Sequence, residues 1–169
     1  MVKKTKAVFL DRDGVLVKGF ILNRKLYAVR NFEDFYLYPK TRENLLKLKK
    51  LGYILIIITN QPDVGKNLIS KKTISQMNKF LYESLPIDKI YTCIHNQSSN
   101  CKCRKPKTHF FETAIKNYKI NPEMSFMVGD RKYDILAGNK IGCKTIFINR
   151  NYLEDKPLTH DRAARSFSE

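Results

Sequence analysis

The chain is short of acid, sparing with glycine and proline, and free of long apolar runs. No stretch approaches the ~20 apolar residues that a helix needs to cross a bilayer, which argues against a membrane-spanning protein. The start Met1-Val2-Lys3-Lys4-Thr5-Lys6 is basic, yet the apolar run behind it, Ala7-Val8-Phe9-Leu10, stops at Asp11. That run is too short for the core of a secretory signal, and a soluble, cytoplasmic protein is expected. The 7 Gly and 6 Pro never gather with Ser into a linker, and no internal repeat or low-complexity segment interrupts the 169 residues. With 43% hydrophobic content the chain can bury a full core, so one compact domain is expected over residues 1–150. The rest, 151–169, is polar, contains Pro157 and shows no apolar period; it reads as a loosely attached C-terminal extension. Acids are outnumbered two to one, 16 Asp and Glu against 32 Lys and Arg, for a net charge of +16.

What is present is a set of short apolar runs, each ending on chemistry. Ala7 to Leu10 reads as a buried strand and ends on Asp11-Arg12-Asp13-Gly14. Two carboxylates at a buried strand end are destabilising unless a cation sits with them, and magnesium, with its preference for oxygen ligands, is a candidate. The competing reading is an Asp-Gly turn with solvated acids. Tyr53 to Ile58 is a continuous β-branched run that stops at Thr59-Asn60-Gln61, and Ser125 to Val128 stops at Gly129-Asp130-Arg131-Lys132-Tyr133-Asp134. Three strands thus bring acids or a hydroxyl to one edge, and open α/β sheets bind ligands beyond the carboxyl ends of their strands.

The spacing predicts helices over about 41–50, from an N-cap at Ser70 to about 85, from a cap at Thr108 to about 118, and over 135–140. Further short strands are expected at about 90–92 and 145–148, giving five in all. Alternating strand and helix points to an α/β fold, a mainly parallel sheet with helices on both faces. Residues 17 to about 35 have many aromatics and no clean period. They read as a long loop, either a functional flap or a solvent loop packed by Phe20, Tyr27 and Phe32.

Cys93, His95, Cys101 and Cys103 form a C-x-H pair and a C-x-C pair five residues apart. Three thiolates and one imidazole make a closed tetrahedral set for structural zinc, and a reducing cytoplasm disfavours a disulfide; core thiols without a metal are the alternative. Such a site leaves no coordination position for chemistry, so its expected purpose is to pin the loop presenting Arg104 and Lys105. Cys143 reads as a small core residue, and His109 and His160 as surface groups.

In order along the chain, Asp11-x-Asp13-Gly14-Val15, the strand ending in Thr59-Asn60-Gln61, Lys105 in Cys103-Arg104-Lys105-Pro106-Lys107, and Gly129-Asp130-x-x-x-Asp134 resemble the four motifs of the haloacid dehalogenase superfamily of phosphohydrolases. The added Cys and His pairs resemble its zinc-containing subgroup of heptose bisphosphate and histidinol-phosphate phosphatases. The resemblance implies a three-layer Rossmann-like sandwich with a small zinc loop over about 93–103 and no large cap domain. It implies a magnesium-dependent phosphatase in which Asp11 attacks phosphorus and Asp13, protonated at the outset, serves as general acid and then base. Thr59 and Lys105 would hold phosphate oxygens. Asp11, the main-chain carbonyl of Asp13, and Asp130 would hold magnesium; Asp134 would support either the metal or Lys105. Arg104, Asn60 and Arg131 are the candidate substrate contacts.

The partner implied is a small phosphorylated metabolite met by a monomer. The lean is to the 7-phosphate of D-glycero-D-manno-heptose 1,7-bisphosphate, a precursor of the lipopolysaccharide core, over histidinol phosphate. Two departures bear on it: Val17 stands where the subgroup often has Asn, and Pro62-Asp63-Val64-Gly65-Lys66 stands where an Ala-Arg-Gly-like loop is typical. The net charge keeps a polynucleotide-end phosphatase open, although the lysines are spread along the chain and do not interleave with aromatics. A non-catalytic phosphate-binding protein is the remaining alternative, and the intact Asp11, Asp13, Lys105 and Asp130 argue against it.

Overall fold

A computed structural model describes residues 4–169; Met1, Val2 and Lys3, part of the basic start, lie outside the described residues. The chain runs β1 (Ala7–Leu10), β2 (Phe20–Leu22), β3 (Lys25–Tyr27), α1 (Thr41–Lys50), β4 (Ile54–Asn60), α2 (Pro62–Gly65) and α3 (Lys71–Ser84). It continues through β5 (Lys89–Cys93), α4 (His109–Tyr118), β6 (Phe126–Gly129), α5 (Lys132–Lys140), β7 (Lys144–Ile148) and β8 (Arg162–Ala164). Six strands form one sheet in the order β5-β4-β1-β6-β7-β8, and every pairing in it is parallel.

Why the central strands read as unbroken apolar runs is visible in their pleat. Val8, Leu10, Leu55, Ile57 and Val128 face one side, where Leu45 of α1 and the α3 stripe Ile74, Met77 and Leu81 cover them. Ala7, Phe9, Ile56, Ile58 and Met127 face the other, against Phe111 and Ala114 of α4 and Ala137 of α5. Both faces are therefore buried, as parallel sheets require, and each such Ile or Leu contributes about 1.5–3 kcal/mol relative to exposure. The three-layer α/β expectation holds. Among the described residues no helix is long and apolar enough to cross a membrane.

The chain leaves β1 towards β4 and β5 on one side, then returns to β6 and β7 on the other. Strand order thus reverses beside β1, and a crevice opens at its carboxyl end. Ser70 caps α3, its hydroxyl accepting from the Thr73 amide at 2.9 Å, as the sequence predicts. Thr108 does not cap α4 with its side chain; its hydroxyl donates to Glu112 at 2.6 Å.

Two expectations are corrected. The segment after residue 17 is not a shapeless loop, because β2 and β3 pair as an antiparallel hairpin with Phe20 stacked on Tyr27 at 5.2 Å. Its two-residue turn, Asn23-Arg24, has positive φ at both positions, the I′ geometry that suits a twisted hairpin but lacks the usual glycine signal. Nor is the end of the chain loosely attached. β8 pairs with β7 as a sixth strand, the Asp161 carboxylate accepts from the Thr145 amide and hydroxyl at 2.7 and 2.9 Å, and Ala164 and Phe167 pack on the core.

Candidate active site

The crevice at the end of β1 collects the sequence-predicted acids. The Asp11 amide bonds the Val128 carbonyl at 2.9 Å, prolonging β1 by one residue before the chain turns. That turn is tight: Leu16 and Val17 amides both reach back to the Arg12 carbonyl. Gly14 sits in it with φ +90, and a Cβ there would stand 1.9 Å from Asp130 Oδ2, so only glycine admits β6's carboxylate so close to the loop. Asp11, Asp130 and Asp134 each place a carboxylate oxygen within 4.8 Å of the others, all buried.

Lys105 is the single ammonium among them, only 2% exposed. Its Nζ donates to Asp11 Oδ1 at 2.6 Å and to the Ile58 carbonyl at 2.6 Å, and it pairs with Asp134 Oδ1 at 2.8 Å, which occupies all three of its protons. Burial works against its charge, but Asp11 and Asp134 outweigh burial and hold its pKa above the ordinary lysine value. Asp134 thus clamps Lys105 while standing beside Asp11 and Asp130, and its other oxygen accepts from the Arg131 amide at 3.0 Å. Burial pushes the Asp134 carboxyl up to about 6, with Lys105 pulling the other way.

Asp130 differs from its neighbours. Both of its oxygens are buried with no hydrogen-bond partner in the chain, and burial together with Asp11 and Asp134 raises its pKa well above the carboxylate range. A carboxylate so placed fits a divalent cation held by hard oxygen donors, which would be shared with Asp11.

Asp13 is surrounded by donors. Gln61 Nε2 reaches its Oδ2 at 2.6 Å, and the fully buried Arg12 reaches it through Nε at 3.0 Å and Nη2 at 2.9 Å. These donors fix the position of the Asp13 carboxyl group at the mouth of the turn. Arg12 and Gln61 are site residues that the sequence reading passed over. An arginine beside an acid is unremarkable in so basic a chain, and Gln61 stood only as the tail of a motif. Gln61 also donates to the Thr59 hydroxyl at 2.8 Å, tying the end of β4 to the β1 turn.

Two candidate substrate contacts are turned to internal work. Asn60 exchanges hydrogen bonds with the Lys105 backbone, donating to its carbonyl at 3.3 Å and accepting from its amide at 3.1 Å. Arg131 donates to the Leu26 carbonyl at 2.7 Å and pairs with Glu154 at 3.3 Å, bracing the hairpin. Arg104 remains available: one of its terminal nitrogens has no partner, and it lines a cleft of about 660 Å³ with Asn100, Lys105 and Tyr133.

The four metal-type ligands converge at the end of β5. Cys93 Sγ lies 3.6 Å from His95 Nδ1, 3.7 Å from Cys101 Sγ and 3.2 Å from Cys103 Sγ, and Cys103 lies 3.2 Å from His95 Nδ1. A tetrahedral zinc with thiolates at 2.3 Å spaces them by about 3.8 Å, so the set fits that ion with small adjustment. Burial, then the two neighbouring thiols, push Cys103 up to about 12, a crowding that a cation relieves. Cys143 is buried and apart, and His109 and His160 are exposed, as expected.

Residues 18–148 match the family model described as haloacid dehalogenase-like hydrolase. A D-glycero-beta-D-manno-heptose-1,7-bisphosphate 7-phosphatase of Helicobacter pylori is 38% identical over 146 residues, 82% of this chain and 79% of that one. The histidine biosynthesis bifunctional protein HisB of Campylobacter jejuni is 29% identical over 82% of this chain and 40% of its own length. Among solved structures, a D,D-heptose 1,7-bisphosphate phosphatase from B. bronchiseptica complexed with magnesium and phosphate superposes with a TM-score of 0.81 at 21% identity, covering 97% of this chain and 94% of that one.

Proposed function

Because the chain belongs to the haloacid dehalogenase-like hydrolases, we propose that it is a phosphatase removing the 7-phosphate of D-glycero-D-manno-heptose 1,7-bisphosphate through a phosphoryl-enzyme intermediate on Asp11. The observation that carries the chemistry is a charge deficit: three buried carboxylates share one ammonium, and among the described residues neither Asp130 oxygen has a well-formed hydrogen bond. Asp11, Asp130 and the Asp13 main-chain carbonyl would hold magnesium, which would supply the missing charge and neutralise the phosphoryl group.

An oxygen of Asp11 bonds to phosphorus as the bond from phosphorus to the sugar oxygen breaks, and Asp13 gives that oxygen a proton. Water then attacks phosphorus, Asp13 takes its proton, and the bond to Asp11 breaks to release phosphate. Arg12 and Gln61 hold the Asp13 carboxyl group in place for both proton transfers. Thr59 and Lys105 stabilise the transferring oxygens, and Asn60 fixes the Lys105 backbone. Arg104, which lines the open cleft beside Lys105, receives the second anionic group of the substrate.

Zinc held by Cys93, His95, Cys101 and Cys103 pins the loop that carries Arg104 and Lys105. All of these parts lie within one chain, which suits a monomer working in a reducing cytoplasm. Histidinol phosphate is the second reading, supported by the likeness to the bifunctional histidine-pathway protein. Phosphate release should be compared for the heptose bisphosphate, histidinol phosphate and a 3′-phosphorylated oligonucleotide, with magnesium present. The heptose bisphosphate should be turned over fastest, and Asp11→Asn should lower that rate about 1,000-fold or more while the fold survives. A higher kcat/KM for either competitor would overturn the substrate assignment, and an active Asp11→Asn variant would overturn the mechanism.

A further inference from the structure

Polar groups that the chemistry above leaves unused gather where the chain leaves β7. Tyr152 is 8% exposed although Asn151 and Leu153 on either side of it are exposed. Its hydroxyl is buried without a well-formed hydrogen bond among the described residues, and the groups it faces are Asp130, close enough for a side-chain hydrogen bond, Tyr38 and Arg150. Both Asp130 oxygens and Arg150 Nη2 are likewise buried and unpaired. Between them lies a cavity of about 10 Å³ lined by Asp130, Phe147, Asn149, Arg150 and Tyr152. That is room for about one water.

The segment carrying Tyr152 is tied down on both sides. Arg150 Nε donates to the Gly14 carbonyl at 3.0 Å and its guanidinium stacks 4.1 Å from the Tyr38 ring centre; the Leu153 amide donates to the Arg24 carbonyl at 2.9 Å. A phenylalanine would fill the same space without burying a hydroxyl. A buried hydroxyl without a partner destabilises a fold, so its presence beside an equally unpaired carboxylate calls for an exchange between the two.

We infer that Tyr152 is a positioning residue for Asp130, its O–H donating, directly or through one water in the cavity, to the carboxylate oxygen turned away from the cation. Carboxylates that bind metals are held in orientation by such outer hydrogen bonds, and losing one typically weakens metal affinity about 10–100-fold. The inference rests on Asp130 being a magnesium ligand, and it makes the segment beyond residue 150 part of the active site.

Magnesium binding to the full chain, followed by titration calorimetry without substrate, tests it. Tyr152→Phe should weaken the magnesium Kd about tenfold. Leu153→Ala, on the same segment with its side chain exposed, should leave the Kd in place. A Tyr152→Phe Kd within twofold of the parent would overturn the proposal whatever happens to Tm. So would an equal loss in Leu153→Ala, since that would trace the effect to a loosened segment. A parent chain that binds no magnesium would remove the metal reading and this inference together, whereas a wrong sugar substrate would leave both untouched.

Discussion

Lys105 shows how one side chain can hold a site together. Its three protons go to Asp11, Asp134 and the Ile58 carbonyl, so it links the first motif, the last and the end of β4. Asp130 and Asp134 bear the consequence of having one ammonium among three acids: burial holds Asp134 at about 6, against an ordinary 3.8, and raises Asp130 well above that ordinary value. The folded chain then keeps protons that the unfolded chain has released. Stability from these two groups is full below the ordinary carboxylate pKa of 3.8 and is lost as pH rises through the folded values, for Asp134 about 6. A bound divalent cation favours the carboxylate form and reverses the sense. Magnesium should therefore raise Tm little near the low end of that window and progressively more as pH climbs past it. Calorimetric scans with chelator and with magnesium across the window check this, and an increment that does not change with pH would contradict it.

At the scale of elements, the loop between β5 and α4 carries the heaviest duty. It delivers Arg104 and Lys105 to the crevice, and what fixes its path is the Cys93, His95, Cys101 and Cys103 cluster together with the Asn60 bonds to Lys105. We expect about one zinc per chain by elemental analysis, as a four-ligand structural site requires. Stripping zinc with a chelator, then restoring magnesium, should lower kcat about a hundredfold, since a displacement of about 1 Å at Lys105 is enough for that. Circular dichroism should change little, because the sheet and its two helix layers do not depend on the cluster. Zinc-free protein with full kcat would show that the loop stands without its pin. The β2–β3 hairpin and β8 tell a different story about elements. Each is only three residues long and has no apolar period to announce it; the hairpin is held by a turn with two left-handed residues, and β8 by an open sheet edge and the Asp161 bonds to Thr145.

For the molecule as a whole, the balance of 32 basic to 16 acidic residues produces a field that reaches beyond any single contact. Asp11 and Asp13 are each paired with a cation inside the site, so the excess positive charge is left to act on anions approaching from solution. A doubly phosphorylated substrate should feel it. We expect kcat/KM to fall roughly tenfold between low salt and about 0.5 M salt, with kcat nearly constant, because screening weakens encounter and not the buried chemistry. Initial rates across a salt series test this; a kcat that falls in parallel would point instead to salt acting on the site itself.

Sequence by itself determined the features that are local. Strands β1, β4 and β6 announced themselves as apolar runs, because a strand buried on both faces has no room for polar residues, and the groups where those runs stop lie in the crevice: Asp11, Thr59 and Asp130. The convergence of Cys93, His95, Cys101 and Cys103 was legible for a related reason, as groups gathered within one short loop leave a spacing signature. Tertiary structure alone decided which partners each polar group meets. That Gln61 reaches across to Asp13, that Asn60 and Arg131 serve as braces, and that the final segment supplies a sixth strand and a tyrosine beside Asp130 all depend on residues far apart in the chain. A hydrogen bond between distant residues leaves no periodic trace, since it is set by how packed layers bring two backbones together and not by the order in which the residues were joined.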